Sequence, residues 1–258
     1  MTSYPFRSAL VTGASSGIGE AMTRELAAAG VPTVVVARRQ DRLDELADEL
    51  DGIEVLAADL TDAGGQATVV ERVRDGDAPV ELVVNNAGFG TSGRFHELDA
   101  DRLADEIELN IAALTRISNA AISAMVPRGV GWLLNVSSVA SFQPAPDLAV
   151  YAATKAYVTS LSESLHEEVK GSGINVTALC PGLTRTEFQS VSSTEQYVTQ
   201  FPRFLWTTAE DVARTGLRDV AANRTISVPG TLYKAVVGLG GPIPRGLKRR
   251  LSGLVQRQ

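Results

Sequence analysis

Tyr151 and Lys155 stand four residues apart in the stretch YAATK, inside a run with the composition of an alanine-rich helix. Residues i and i+4 share one face of a helix, so the phenol and the ammonium point the same way. Thirteen residues before Tyr151 comes Ser138, at the end of the stretch LLNVSS. Reduction of a carbonyl by hydride leaves an alkoxide that needs a proton. A free tyrosine, with a pKa near ~10, is a poor reversible proton carrier at neutral pH. A nearby cation favours the phenolate and lowers that pKa. Lys155 can supply the charge, an oxidised nicotinamide adds more, and Ser138 can hydrogen-bond the carbonyl oxygen. Taken alone, the pair also describes a surface lysine beside a half-buried tyrosine, so the remaining motifs decide between the two.

The stretch TGASSGIG places Gly13, Gly17 and Gly19 at G-x3-G-x-G spacing around Ser15, Ser16 and Ile18. Between a strand and a helix, such glycines let backbone approach a pyrophosphate, and the helix N-terminus offers it unpaired N–H groups. The spacing differs from the G-x-G-x-x-G of many dinucleotide binders, and a glycine-rich turn alone is weak evidence. After the second expected strand come Ala37, Arg38 and Arg39, where enzymes selecting NAD place a carboxylate for the ribose 2′-hydroxyl. A guanidinium grips a 2′-phosphate with two hydrogen bonds, so NADP(H) is expected over NAD(H). Asp59-Leu60 follows the third strand, where an acid can accept from an adenine amino group, although Asp also commonly starts a helix. Asn85-Asn86-Ala87-Gly88 follows the fourth strand, with amides to hold backbone and a glycine to leave room for a ribose. That composition is equally ordinary for a turn.

These residues need a scaffold that brings them to one place. Apolar runs suited to strands occur at 7–11, 31–37, 53–57, 80–84, 131–136, 174–179 and 225–228. Helical spacing occurs at 18–29, ended by Gly30, and in the stripe Leu43, Leu46, Ala47 and Leu50. It recurs at 67–73, 150–169 and 208–221, and at 101–125 as one long helix or a broken one. Continuously apolar strands are buried on both faces, which a parallel sheet covered by helices provides. The expected fold class is α/β, a single Rossmann-type doubly wound parallel sheet of about seven strands with helices on both faces. No Pro/Gly/Ser-rich linker divides the chain. Residues 1–230 are expected as the dinucleotide-binding and catalytic domain, and 231–258 as an extension of it.

With 258 residues, 44% of them hydrophobic, the chain can bury a large core. A formal charge of −6 argues against general nucleic-acid binding. Cys180 is the single cysteine, which excludes an internal disulfide. His96 and His166 are the only histidines and lie far apart, so no metal site is expected. The N-terminus has no charged-then-apolar signal pattern, and no apolar run approaches the roughly 20 residues of a membrane span. A cytoplasmic location is expected.

Together, Thr12-Gly13-x3-Gly17-x-Gly19, Asn85-Asn86-Ala87-Gly88, Asn110, Ser138, Tyr151-x3-Lys155 and Pro181-Gly182 resemble the short-chain dehydrogenase/reductase family. The resemblance is to its single-domain branch of about 250 residues and covers the chain from Arg7 to about Val228. It implies Tyr151 as general acid in reduction and base in oxidation, Lys155 on the nicotinamide ribose, and Ser138 on the carbonyl. It implies that Asn110 anchors a water in the proton relay, where the plainer alternative is a polar residue within a helix. It also implies that the backbone around Asn86 meets the cofactor, and that Pro181, Gly182 and Thr186 meet the carboxamide. Thr186 alternatively caps a short helix. Arg38 matches the basic position of NADP-preferring members, and Ser15 is a candidate phosphate ligand.

Phe89, Phe142, Leu183, Phe188, Val191 and Tyr197 are candidates for an apolar pocket, which favours a moderately apolar ketone, aldehyde or alcohol as substrate. Relatives that reduce 3-oxoacyl thioesters or ketosteroids share the motifs, so those substrates stay open. A regulator sensing NADP without turnover typically lacks the tyrosine or lysine that this chain keeps. A sugar-nucleotide epimerase uses the same pair but needs a separate substrate domain. Seven basic and no acidic residues follow Asp219, so the chain up to Asp219 carries −13 of the net −6. Leu247, Leu251 and Leu254 form a weak stripe beside Lys248, Arg249 and Arg250. A solvated tail paired with the acidic body is preferred over a tail lying on an anionic membrane surface, covering a subunit interface or closing the cleft. A homo-oligomer is expected, a dimer first, with interface helices at 109–125 and 150–169 by the resemblance.

Overall fold

Alternation along each strand sorts the core into two layers. In β1 (Ala9–Thr12), Ala9 and Val11 join one apolar cluster and Leu10 the other. In β4 (Leu82–Asn85), Leu82 and Val84 go to the first cluster and Val83 to the second. In β5 (Gly131–Val136), Leu134 and Leu133 divide the same way. Successive side chains of a strand point to opposite faces, so an apolar strand feeds both layers at once. The structure, a computed structural model, describes residues 3–194 and 201–240.

The remaining strands are β2 (Thr33–Ala37), β3 (Ile53–Ala57), β6 (Ile174–Leu179) and β7 (Ile226–Ser227). Together the described residues form one seven-stranded sheet in the order β3-β2-β1-β4-β5-β6-β7. Every pairing is parallel, for example Leu10 against Val83 and Leu133 against Val176. The expected α/β doubly wound sheet is what forms. Strand order reverses between β1 and β4, which opens a crevice at their carboxyl ends.

Helices cover both faces. On one, α1 (Gly17–Ala28) packs against α8 (Ala209–Ala221). On the other, α3 (Ala63–Arg74) packs against α5 (Leu114–Met125). The outer helix α2 (Gln40–Glu49) buries Leu43 and Leu46, and α6 (Ala149–Glu168) packs along β6. Helix α3 starts before the expected residue 67. The Asp62 carboxylate accepts from Gly64 N and Gly65 N, and that cap outweighs the poor helix propensity of two glycines.

The expected helix 101–125 is broken. It comprises α4 (Ala100–Ile107), a π-helical turn at Glu108–Ala113, and α5. The whole run Ala100–Arg128 is long and apolar enough to cross a membrane, contrary to the expectation from apolar runs alone. Ala113, Ile117, Ala120, Ala121 and Met125 are buried in the second core layer, which accounts for its hydropathy. The short helix that Thr186 alternatively caps forms as α7 (Phe188–Val191), with Phe188 N donating to Thr186 Oγ1 at 3.2 Å, whereas α9 (Thr231–Gly240) is not anticipated by the sequence. The tail leucines and basic residues from Arg245 onward, and Tyr197, lie outside the described residues.

Candidate active site

Helix α6 begins at Ala149, so Tyr151 and Lys155 fall in its first two turns, above the end of β5. Lys155 is 4% exposed and its Nζ donates to the Val136 carbonyl at 2.8 Å. The Ser137 hydroxyl donates to the Lys155 carbonyl at 2.8 Å and shares a bond with Thr159 Oγ1 at 2.7 Å, fixing α6 to the strand end. Nζ stands 5.8 Å from the centre of the Tyr151 ring, whose other neighbour is the Phe188 ring at 5.4 Å. Ser138 lies two residues past the end of β5, and its Oγ accepts from Ala140 N at 3.1 Å.

Burial pushes the Tyr151 phenol up to about 12; a hydrogen bond with Ser138 works against this, while the charge of Glu106 adds to it. Burial pulls the Lys155 ammonium down to about 8, against the opposing charge of Glu106. The expectation of a phenol lowered by Lys155 is therefore not met by the protein's own groups. Desolvation dominates, although the Tyr151 side chain is only half-buried and lines the cavity.

The glycine turn follows β1. Gly17 has φ +59, and a Cβ on it would lie 2.9 Å from Thr186 Cβ. A Cβ on Gly19 would collide with the Gly13 carbonyl. Gly19 is therefore a packing residue that lets α1 approach the turn, and it does not itself line the cavity. Ser16 stands at the N-cap of α1 without a side-chain cap bond, leaving the first N–H groups of a 12-residue helix for another acceptor. Asn86 braces the turn: its Nδ2 donates to Thr12 O at 2.9 Å and Gly13 O at 3.2 Å. The Thr12 hydroxyl accepts from Asn86 N and Ala87 N, both at 3.0 Å.

At the end of β2, Arg38 Nη1 lies 3.7 Å from Asp59 Oδ2. Asp59 Oδ1 accepts from Thr61 N and Oγ1, at 2.9 and 2.7 Å. Burial pulls the Asp59 carboxyl upward, but the Thr61 bonds and the Arg38 charge outweigh it and hold it below its ordinary value. Arg39 donates to Ser15 Oγ and to Glu187.

One cavity of about 690 Å³ gathers these parts. Its wall includes Gly13, Ser15, Ser16, Gly17, Ile18, Arg38, Arg39, Asp59, Leu60, Asn86, Ala87 and Gly88. It continues through Ser138, Tyr151, Lys155, Pro181, Gly182 and Thr186. Its volume suits a small-molecule or cofactor site. The uncapped helix start, the glycine turn and Arg38 form a chemically suitable cradle for a phosphorylated dinucleotide.

Asn110 lies in the interior near Lys155: a Cβ on Gly88 would stand 2.8 Å from Asn110 Oδ1 and 3.4 Å from Lys155 Nζ. It is fully buried, off the cavity wall, in the π-helical turn. Its Nδ2 donates to Phe89 O at 2.8 Å and Thr154 Oγ1 at 3.1 Å, and its Oδ1 accepts from Phe89 N. The carboxamide is used in bracing the segment after Gly88 against α6. Phe142, expected on the pocket wall, is not there and packs with Cys180, Val228 and Tyr233 in a small third cluster. Phe89, Leu183, Phe188 and Val191 do line the cavity.

Sequence reasoning missed Gln143, Leu148, Leu205, Trp206 and Tyr233 on that wall. Tyr233 of α9 donates to Leu205 O at 2.8 Å and accepts from Leu183 N at 3.1 Å. Its ring fills the space a Cβ on Gly182 would need. Nothing in the local pattern around Tyr233 signals this, because its partners lie up to 50 residues away.

Comparison with known proteins gives a consistent result. The sequence profile of short chain dehydrogenases matches residues 7–196. A short-chain dehydrogenase from Sphingobium yanoikuyae, solved with NADPH, is 34% identical with a TM-score of 0.81, covering 92% of this chain and 96% of its own. The bulky-bulky ketone specific alcohol dehydrogenase from Comamonas testosteroni is 32% identical with a TM-score of 0.77, covering 93% and 95%. A 3-ketoacyl-(acyl-carrier-protein) reductase from Brucella melitensis, solved with NADH, is 26% identical with a TM-score of 0.78, covering 87% and 96%.

Proposed function

We propose that this chain, which belongs to the short chain dehydrogenase family of NAD(P)-dependent oxidoreductases, is an NADP(H)-dependent carbonyl reductase or alcohol dehydrogenase with Tyr151 as its general acid and base. The observation that carries the reading is the convergence of Ser138, Tyr151 and Lys155 on the same cavity as the glycine turn and Arg38.

NADP(H), when bound, supplies or accepts the hydride at the substrate carbon. The N-terminus of α1, with Ser15 and the backbone from Gly13 to Ile18, holds phosphate, and Arg38 reads the 2′-phosphate that distinguishes NADP(H) from NAD(H). Lys155 binds ribose hydroxyls. Ser138 donates to the substrate carbonyl and fixes its orientation. Tyr151 gives its proton to the developing alkoxide in reduction and takes it back in oxidation. A phenol held high rests protonated, and positive charge brought to the site lowers its pKa so that the proton can be given up in reduction and taken back in oxidation.

Phe89, Leu183, Phe188, Val191, Leu205 and Trp206 give the substrate side an apolar wall, which suits a moderately apolar ketone, aldehyde or alcohol. The ketone-specific Comamonas relative supports that class. A 3-oxoacyl thioester or a ketosteroid is the narrower alternative, the former supported by the Brucella relative. We also read the protein as a cytoplasmic homo-oligomer joined through α5 and α6, where Tyr157 is 38% exposed beside Thr115. Light scattering of the purified chain tests the assembly.

The deciding experiment is initial-rate oxidation of NADPH, with NADH in parallel, against aldehydes, quinones, ketosteroids and 3-oxoacyl thioesters. Turnover that prefers NADPH supports the reading. Silence across the panel with NADPH still bound leaves either a substrate outside the panel or a redox-sensing regulator.

A further inference from the structure

The ends of β2 and β6 stand apart in the sheet, with β1, β4 and β5 between them. Neighbouring strands lie about 4.8 Å apart, which separates the two ends by about 19 Å. An ion pair nonetheless joins the segments that follow them. Arg39, two residues past β2, donates from Nη2 to Glu187 Oε2 at 2.9 Å. Glu187 stands immediately before α7, in the segment that leads away from β6. A contact made over that separation crosses the carboxyl ends of the intervening strands, where the crevice opens.

The surroundings place the pair at the mouth of the cavity. Both residues belong to its wall. Their side chains keep 43% and 47% of their surface in solvent, so they stand at the rim and not in the depth. The same Arg39 nitrogen donates to Ser15 O at 3.2 Å and Ser15 Oγ at 3.1 Å, which pins the guanidinium to the glycine turn lying between the two ends. Thr186, next to Glu187, meets that turn at Gly17. The two ends face different chemistry. Arg38 and Asp59 flank Arg39, whereas Phe188, next after Glu187, packs against the Tyr151 ring at 5.4 Å. The Arg39 hydrogen bond holds the Glu187 carboxyl below its ordinary value against the effect of burial, so the pair is charged in neutral solution.

We propose that Arg39 and Glu187 form a gate across the cavity mouth, an ion pair that has to open for a dinucleotide to enter or leave and that sets how long the cofactor stays. The inference rests on the cofactor reading given above. A dinucleotide reaching from Arg38 to Tyr151 passes beneath the pair. The contact lies within the chain and needs no ligand to form, so entry and exit cross the same barrier. Removing it should speed both and leave affinity nearly unchanged. A residue that simply touched the cofactor would act mainly on release. Loss of a carboxylate that merely repelled phosphate would speed association and slow release, so the release rate separates a gate from plain electrostatics.

Stopped-flow fluorescence of the full chain with NADPH, and with NADH in parallel, measures association and release without any turnover. In Glu187→Ala, both rates should rise about twofold to fivefold for both nucleotides, with Kd changed by less than about twofold, the scale of a partly exposed ion pair. The excess over wild type should shrink with added salt, which screens the pair in the wild-type protein. In an Arg39→Ala background the Glu187 change should have no further effect, because its partner is gone. Unmoved rates, faster release alone, slower release, or effects that multiply in the double variant would each overturn the gate. Failure of wild type to bind either nucleotide would overturn the cofactor reading and the gate with it, whereas binding with unmoved rates overturns the gate alone.

Discussion

Arg39 Nη2 lies 2.9 Å from Glu187 Oε2, joining the loop after β2 to the segment that leads into α7. The same nitrogen donates to the Ser15 carbonyl and hydroxyl. Arg38, next in sequence, reaches Asp59 only at 3.7 Å, and its side chain is 68% exposed. The two arginines are therefore unequal. Arg39 is spent on holding two parts of the cavity wall together, and Arg38 has donors to spare for a ligand.

Arg38→Ala should weaken NADPH binding by about tenfold or more, the loss of a charge-assisted pair. NADH affinity should change by less than about threefold, since it has no 2′-phosphate to lose. Fluorescence titration with both cofactors checks this. An equal loss for both would remove Arg38 from the role of reading the 2′-phosphate.

Tyr151→Phe should lower kcat by about a hundredfold to ten-thousandfold, the usual worth of a positioned acid or base. The ring contact with Phe188 survives the change, so NADPH should bind with near-native affinity. Stopped-flow turnover beside equilibrium binding separates the two effects. Retained turnover would take the acid/base role from Tyr151.

One proton on Lys155 should move activity and stability in opposite directions. Burial holds this ammonium at about 8 in the folded protein, against an ordinary 10.5. Between those values the unfolded chain keeps the proton and the folded chain has lost it. Stability from this group therefore rises with pH across the window and is lost as pH falls through about 8. Carbonyl reduction, which uses the charged lysine, should decline over the same range. Thermal melts of wild type and Lys155→Met across that range, beside kcat/KM profiles, test both: the stability advantage of the methionine variant should narrow as pH rises.

Tyr233→Phe removes two hydrogen bonds, to Leu205 O and from Leu183 N. Each is worth about 1 kcal/mol. KM for the carbonyl should rise several-fold, because both partners belong to the substrate side of the wall, while NADPH affinity stays close to wild type. A change confined to NADPH affinity would place Tyr233 with the cofactor instead.

The sheet was legible because its strands are short, continuously apolar and set between turn residues. The run Val34-Val35-Val36 could be little else than a strand in a covered sheet. The strand order β3-β2-β1-β4-β5-β6-β7 was not legible, since apolar runs do not say which strands pair. Most of the cofactor side was legible because its residues are contiguous motifs after strand ends. The missed parts are held together by contacts between distant segments. Tyr233 meets Leu183, and the Glu106 side chain is buried on α4. In sequence, Glu106 is one acid among several on a polar helix, and only packing reveals that it points inward. The π-helical turn was likewise hidden, because its residues fit an α-helix as well.

The cavity wall begins at Gly13 and ends, among the described residues, at Tyr233. A chain made from its N-terminus on a ribosome therefore lacks a closed wall until α9 has emerged. The glycine turn exists early, but Tyr151, Gly182 and Tyr233 follow in turn as synthesis proceeds. A ligand that needs the whole wall stabilises only the finished chain, by mass action on the native state. Nascent chains and fragments truncated before α9 thus gain little from such a ligand.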